Sequence, residues 1–86
     1  MHLHISSEES NGVRTVHVSG RLSNGGAEEL KRVCGKTDRL RLNLSQLVSA
    51  DEEATRLLAD LQHGGAQLVG TPPYIHLLLE ARRKNT

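Results

Sequence analysis

Three histidines near the N-terminus are the first side chains of this chain that could do chemistry. His2, His4 and His17 fall at polar positions of two stretches with alternating apolar residues, so they share one face of a predicted sheet. Three imidazoles on one face could bind zinc, but they lack the short paired spacing of a zinc loop. We therefore interpret them as part of an exposed polar face, with a metal or small-ligand site as the alternative.

A lone cysteine and a glycine-rich segment are the other candidates for catalysis or ligand binding. Cys34 lies at an apolar position of a helical stretch, and the sequence places no histidine or acid to activate it, so we expect a small buried residue. The segment SNGGAEE at 23–29 precedes a helix but lacks the Lys-Ser/Thr of a phosphate-binding P-loop. We predict a protein that is not an enzyme and that carries no cofactor.

The acidic run of the stretch SADEEATRLL is the most informative feature of the sequence. Asp51 fits the N-cap of a helix, because its carboxylate can accept a backbone N–H of the first turn. Glu52 and Glu53 then lie where the helix dipole favours anions, each contributing about 0.3–1 kcal/mol when exposed. Glu52 can also pair with Arg56 one turn later. Ser49 is an alternative cap that would put Glu52 at the third helical position.

The charge and composition of the chain argue against two classes of partner. Eleven Lys and Arg residues against ten acids leave a formal net charge of +1, too small to attract a nucleic acid or a membrane surface. With no Trp, no Phe and one Tyr, the chain lacks the aromatic platforms on which single-stranded nucleic acids stack. No apolar segment approaches the roughly 20 residues that span a bilayer, so we expect no direct membrane insertion.

Length and cysteine content bear on the domain organisation and the compartment. A chain of 86 residues has room for one hydrophobic core, so residues 1–86 are predicted to form a single domain. The stretch MHLHISSEES lacks the basic start and the apolar region of a signal peptide. One cysteine forms no internal disulfide, which fits a reducing compartment. We therefore expect a cytoplasmic protein.

Alternating apolar residues predict four strands, which lie at 2–6, 13–19, 39–44 and 66–69. The pair Asn11-Gly12 between the first two strands suits the positive φ angles of a tight hairpin turn, and this turn places Ile5 opposite Val18. The apolar side chains of both strands then share one face of the sheet, which supports the hairpin.

Apolar residues at helical spacing predict three helices, which lie at 27–34, from Asp51 to about 62 and after residue 71. Thr71 is the predicted N-cap of the third helix, with Pro72 at the first helical position, where a missing N–H costs nothing. The order is β-β-α-β-α-β-α. Right-handed crossovers then predict an α/β open sandwich, with a four-stranded mixed sheet and the helices on one face.

The stretch from Leu40 to Ala81 resembles the STAS family, named for sulphate transporters and anti-sigma factor antagonists. The resemblance is carried by the order LNLSQL, DEEA, a leucine-rich helix, GGAQLVG and LLLEA, and by the upstream VHVSGRL, which resembles the family's second strand. It implies a STAS-like open sandwich. It also implies a non-enzymatic protein-interaction domain that regulates a partner by binding, as anti-sigma factor antagonists do.

The resemblance identifies a switch position as well. In partner-switching members of the family, a kinase that is also the anti-sigma factor phosphorylates the serine directly after a conserved aspartate. Asp51 matches that aspartate, Glu52 the phosphoacceptor serine, Glu53 the second serine and Ala54 the following glycine. Glu52 therefore implies a non-phosphorylatable or phosphomimetic site. Ser49 and Thr55, the hydroxyl residues nearby, are expected to be structural rather than substitute phosphoacceptors.

The implied partner-binding surface combines the predicted loop from Leu47 to Asp51 with the exposed face of the second helix. Its residues are Ser49, Asp51, Glu52, Glu53, Arg56 and Asp60. The implied partner is an anti-sigma factor with serine-kinase activity or another STAS protein, and a homodimer stays open. A second interpretation within the family is the cytoplasmic STAS subunit of a lipid-transport ABC system.

Overall fold

The computed structural model describes residues 3–23, 25–35 and 39–84, and within these ranges the chain forms four strands and three helices. Their order is the predicted one: β1 (His4–Ser10), β2 (Val13–Leu22), α1 (Gly26–Cys34), β3 (Leu40–Ala50), α2 (Glu52–His63), β4 (Gln67–Val69) and α3 (Pro73–Lys84). The strands form one sheet in the order β1-β2-β3-β4, in which β1 and β2 are antiparallel and the other neighbours are parallel. The predicted α/β architecture is confirmed.

The hairpin between β1 and β2 forms as the sequence predicts. Asn11 and Gly12 have φ angles of 53° and 79°, the positive values that a two-residue turn of this kind requires. Ile5 lies opposite Val18, in the predicted register. The apolar side chains of the two strands therefore point toward the helices.

The hydrophobic core lies between one face of the sheet and the three helices. Its buried members from the sheet include Val16, Val18, Leu40, Leu42 and Leu44, and those from the helices include Leu30, Cys34, Ala54, Leu58, Ile75 and Leu79. On the other face of the sheet, His4, Arg41 and Gln67 are exposed. Period-two alternation thus separates the core from the solvent, as predicted.

The strands β1, β2 and β3 end later than the sequence predicts, and this matters most for β3. The prediction ended this strand at residue 44 and made Leu47 to Asp51 a loop, but β3 continues to Ala50 beside β2. Two shifts in register, between His17 and Ser19 and between Gly20 and Arg21, each add one residue to β3. Such bulges break the simple alternation, so the pattern appeared to stop where the strand continues.

The start of α3 differs by one residue from the prediction. The helix begins at Pro73, and the Pro72 carbonyl accepts the N–H of His76 at 2.9 Å, so Pro72 rather than Thr71 takes the N-cap position. The residue before a proline is disfavoured in the helical region, which keeps Pro72 out of the helix when Pro73 follows it. Pro73 then occupies the first helical position, where proline fits best.

Arg14 ties the hairpin to α1, a contact that the sequence did not predict. Its Nη1 donates to the carbonyl oxygens of Val33 and Cys34 at 3.2 and 3.3 Å, at the C-terminal end of α1. Its Nη2 and Nε donate to Oε1 of Glu9 at 2.7 and 3.1 Å. A cation at this end of a helix satisfies terminal carbonyls and opposes the helix dipole.

A matched pair of leucine substitutions tests the placement of the core. Leu58 is 0% exposed and Leu77 is 66% exposed. We expect Leu58→Ala to lower the free energy of unfolding by about 2–5 kcal/mol, because it removes buried methyl groups and leaves a cavity. Leu77→Ala should stay within about 0.5 kcal/mol of wild type. Urea unfolding followed by circular dichroism measures both, and equal losses would contradict this packing.

Candidate functional site

Asp51 organises the start of α2. Its carboxylate Oδ1 accepts the backbone N–H of Ala54 at 2.8 Å, which is the predicted N-cap bond. Its carbonyl accepts both the backbone N–H and the hydroxyl of Thr55, at 2.9 and 2.8 Å. Its own N–H donates to the carbonyl of Leu22 at 3.1 Å, at the end of β2. One residue therefore joins the sheet to the first turn of the helix.

The two glutamates that follow the cap point into solvent. The side chain of Glu52 is 81% exposed, and its Oε1 lies 4.0 Å from Nη2 of Arg56, in the predicted pairing one turn apart. Ion pairs this exposed contribute little to stability, typically less than about 1 kcal/mol. Glu53 is exposed as well. The carboxylate of Glu52 is thus accessible to a partner, at the helix end where the dipole favours a negative charge.

The two hydroxyl residues near Glu52 have structural positions. Thr55 is 4% exposed, and its hydroxyl donates to the Asp51 carbonyl. Ser49 lies within β3 opposite Arg21 and does not cap the helix, because Asp51 takes that role. The prediction of a loop from Leu47 to Asp51 is therefore wrong, since the strand continues to the residue before the cap.

Five of the six predicted partner-binding residues divide between two grooves. Glu53, Arg56 and Asp60 line a groove of about 150 Å³ between α1 and α2, together with Ala27, Glu28, Lys31 and Leu57. Asp51 and Glu52 line a larger groove of about 350 Å³ between the start of α2 and α3, together with Ala50, Thr55, Tyr74, Leu78 and Ala81. We call these the α1–α2 groove and the α2–α3 groove. Ser49 lines neither of them.

The α3 residues of the second groove were missed by the sequence analysis. Tyr74, Leu78 and Ala81 follow one another at helical spacing, so they form one stripe along α3. Their sequence signal was present, since Tyr74 is the chain's one residue of the Phe, Tyr and Trp group. What the sequence did not contain was the approach of this stripe to Glu52, because it depends on how α2 and α3 pack.

The histidine-bearing face of the sheet forms a shallow polar depression. His4 and His17 line a space of about 120 Å³ with Ser19, Asn43 and three other residues, Val18, Ser45 and Gln46. Nε2 of His17 lies 3.2 Å from Oε1 of Glu8. His2 lies outside the described residues. Within the described ranges, no group of three or more His, Cys, Asp or Glu side chains is placed to hold a metal ion.

Cys34 is buried in the core, as predicted. Burial raises the pKa of its thiol to about 11, and the nearby Arg14 guanidinium, which favours the thiolate, offsets only part of this effect. The residue is therefore a neutral thiol at physiological pH. A nucleophilic cysteine needs the opposite environment, one that lowers its pKa.

A pair of substitutions at Asp51 tests the cap. We expect Asp51→Ala to lower the free energy of unfolding by about 0.5–2 kcal/mol, because the Ala54 N–H loses its acceptor. Asp51→Asn keeps an acceptor oxygen and loses only the charge, so its loss should be smaller. Urea denaturation at constant ionic strength measures both. A loss for Asp51→Asn that equals or exceeds that of Asp51→Ala would show that the hydrogen bond is not what stabilises this helix.

The raised pKa of Cys34 predicts a pH dependence at alkaline pH. In the unfolded chain the thiol ionises near its ordinary pKa of 9.0, whereas the folded chain holds the proton until about pH 11. The unfolded state therefore binds fewer protons between these values, and stability falls as the pH rises through them. Below pH 9 the contribution is constant. We expect the free energy of unfolding to fall more steeply from pH 9 to 11 in wild type than in Cys34→Ala, and parallel slopes would contradict the assignment.

Comparison with known proteins identifies the fold. No model of a known protein family matches the chain, and a search of curated proteins finds no matching relative. Among solved structures, the crystal structure of an anti-sigma factor antagonist STAS domain from Rhodobacter sphaeroides superposes with a TM-score of 0.61. The match has 22% sequence identity and covers 79% of this chain and 86% of that one. The architecture that the sequence predicts is therefore confirmed by both the sheet order and this match: the chain has the fold of a STAS domain.

Proposed function

We propose that this chain is a non-enzymatic protein-interaction domain of the STAS type, which regulates a partner by binding it and whose switch position is occupied by Glu52. The observation that carries the proposal is the exposed carboxylate of Glu52 at the first position of α2, directly after the capping Asp51. In the partner-switching proteins that the sequence resembles, the phosphoacceptor serine follows the conserved aspartate in the same way.

The chemistry of glutamate favours a fixed state over a reversible one. A carboxylate carries one negative charge and two acceptor oxygens, against about 1.5–2 charges and three oxygens for a phosphate group. Glu52 is therefore a partial phosphate mimic that no phosphatase removes. Its 81% exposure leaves the carboxylate accessible to a partner without rearrangement of the helix.

The neighbouring hydroxyl groups support the same proposal. Phosphorylation of Thr55 requires its buried hydroxyl to leave the Asp51 carbonyl, which means opening the first turn of α2. Ser49 lies within β3, where its backbone pairs with β2 opposite Arg21. Neither geometry suits a kinase, because the hydroxyl of Thr55 is buried and Ser49 belongs to a hydrogen-bonded strand rather than to a free loop.

The partner we propose is a protein, either an anti-sigma factor with serine-kinase activity or another STAS protein, met in the cytoplasm. This follows from the resemblance of the sequence and from the likeness to an anti-sigma factor antagonist structure. The proposed contact surface comprises Ser49, Asp51, Glu52, Glu53, Arg56 and Asp60. Five of the six line the two grooves beside α2, which gives a partner two faces of one helix to approach.

Phosphorylation of a serine variant tests the switch position. Wild type and Glu52→Ser are incubated with radiolabelled ATP and each anti-sigma factor kinase of the chain's own genome. We expect wild type to stay unlabelled and Glu52→Ser to take up phosphate at position 52, because the substitution restores a hydroxyl next to Asp51.

Glu52→Gln is the matched control, since it keeps the size of the side chain, removes its charge and offers no hydroxyl. It should remain unlabelled, and it should change partner binding only through charge. Phosphate on Ser49 or Thr55 of wild type would refute the fixed-switch proposal, and so would a Glu52→Ser variant that folds but is labelled by none of these kinases.

A further inference from the structure

We propose that the α2–α3 groove is the docking site for a segment of a protein partner that presents an apolar side chain next to an arginine or lysine. The inference rests on the proposed function, in that it assumes a protein partner. It moves the contact from the outer face of α2 to the groove between Glu52 and α3, and it specifies the chemistry of the segment that fits there.

The apolar side of the α2–α3 groove belongs to α3. Among the described residues, the exposed large apolar side chains are Val48, Tyr74 and Leu77, and two of these three lie in the first turns of α3. Tyr74 is 58% exposed and lines the groove with Leu78. Leu77 follows Tyr74 by three residues, so the two side chains are neighbours on the helix surface. Exposed tyrosine and leucine side chains beside a groove are typical of a binding surface, and tyrosine is enriched among the residues that dominate binding energy.

The charged side of the α2–α3 groove belongs to the start of α2. Of the described side chains that line the groove, the charged ones are Asp51 and Glu52, and both are negative. Arg56, which pairs with Glu52 at 4.0 Å, lines the other groove. A cation of the partner would therefore meet Glu52 beside an apolar surface. Arginine and lysine suit this arrangement, because their apolar stems cover apolar surface while the charged end reaches a carboxylate.

The α1–α2 groove is a weaker candidate for docking. It is less than half as large, at about 150 Å³ against about 350 Å³. Its charged side chains have both signs, with Glu28, Glu53 and Asp60 facing Lys31 and Arg56. A surface on which opposite charges lie side by side has no strong preference for a partner of either sign.

The size of the α2–α3 groove indicates how much of the partner it receives. Small-molecule pockets range from about 300 to 1,000 Å³, so a groove of about 350 Å³ holds a few side chains rather than a folded surface. A stable interface buries about 800 Å² on each partner. The docked segment must therefore continue over the exposed surface next to the groove, where Leu77 lies.

Selection of peptides on the full chain tests the inference. A random peptide library displayed on phage is selected against the immobilised protein, and the enriched peptides are titrated into ¹⁵N-labelled protein. We expect sequences in which arginine or lysine lies close to leucine, isoleucine or phenylalanine. The spacing should be at most one turn in a helical peptide, or at most two residues in an extended one. The amide signals of Ala50, Glu52 and Leu78 should shift, and that of Arg41 on the polar face of the sheet should not.

Two variants then test the apolar and the charged contact separately, and a third serves as the control. Tyr74→Ala should weaken binding of the selected peptides at least about tenfold, because it removes the main apolar contact. Glu52→Lys should weaken binding and largely remove its salt dependence, since the new cation offsets the remaining charge of Asp51. Arg41→Ala is the matched control and should bind as wild type does. All three positions are exposed, so circular dichroism should show the same fold.

Other results would overturn the assignment of the α2–α3 groove as the docking site. Peptides that are acidic, or that shift the signals of Lys31 and Asp60 instead, would overturn the groove assignment while leaving the proposed protein-binding function in place. No enrichment over the bare support would also overturn it, and the phosphorylation of Glu52→Ser would still test the function separately. A dimer in sedimentation that Tyr74→Ala converts to a monomer would identify a second copy of the chain as the occupant, contrary to the proposal.

Discussion

The junction between the sheet and α2, where the candidate site lies, depends on the hydrogen bonds of one residue, Asp51. Its N–H binds the Leu22 carbonyl at the end of β2, and its carboxylate and carbonyl bind Ala54 and Thr55 in the first turn of α2. The end of the parallel sheet and the start of the helix are therefore fixed relative to each other. The same bonds fix the position of Glu52, whose carboxylate lies in solvent where the helix dipole favours an anion.

This arrangement explains how the residue after Asp51 can be an acid without disturbing the fold. The start of a helix stabilises negative charge whether it belongs to a carboxylate or to a phosphate group. The stabilising contacts are made by the backbone and by Asp51, so the identity of the next residue is free to follow function. In this chain that residue is Glu52, beside a groove formed with α3.

The sequence predicted the parts of this structure that follow local rules. The Asn11-Gly12 turn that placed Ile5 opposite Val18 and the cap at Asp51 were both correct, because each depends on residues close together in the sequence. The end of β3 was missed because two bulges interrupt its alternation. The bond of Arg14 to the end of α1 and the approach of Tyr74 to the start of α2 were missed for another reason. They join residues that only the tertiary packing brings together.

The central claim is that a protein partner meets this chain at Glu52. The measurement that tests it most directly is a map of amide chemical-shift changes in the ¹⁵N-labelled full chain, titrated with a purified anti-sigma factor of its own genome. The account predicts shifts that are largest at Asp51, Glu52 and the first turns of α3, and small at Arg41 and Gln67 on the polar face of the sheet. Shifts centred on that polar face, or no shifts at any concentration of the anti-sigma factor, would contradict it.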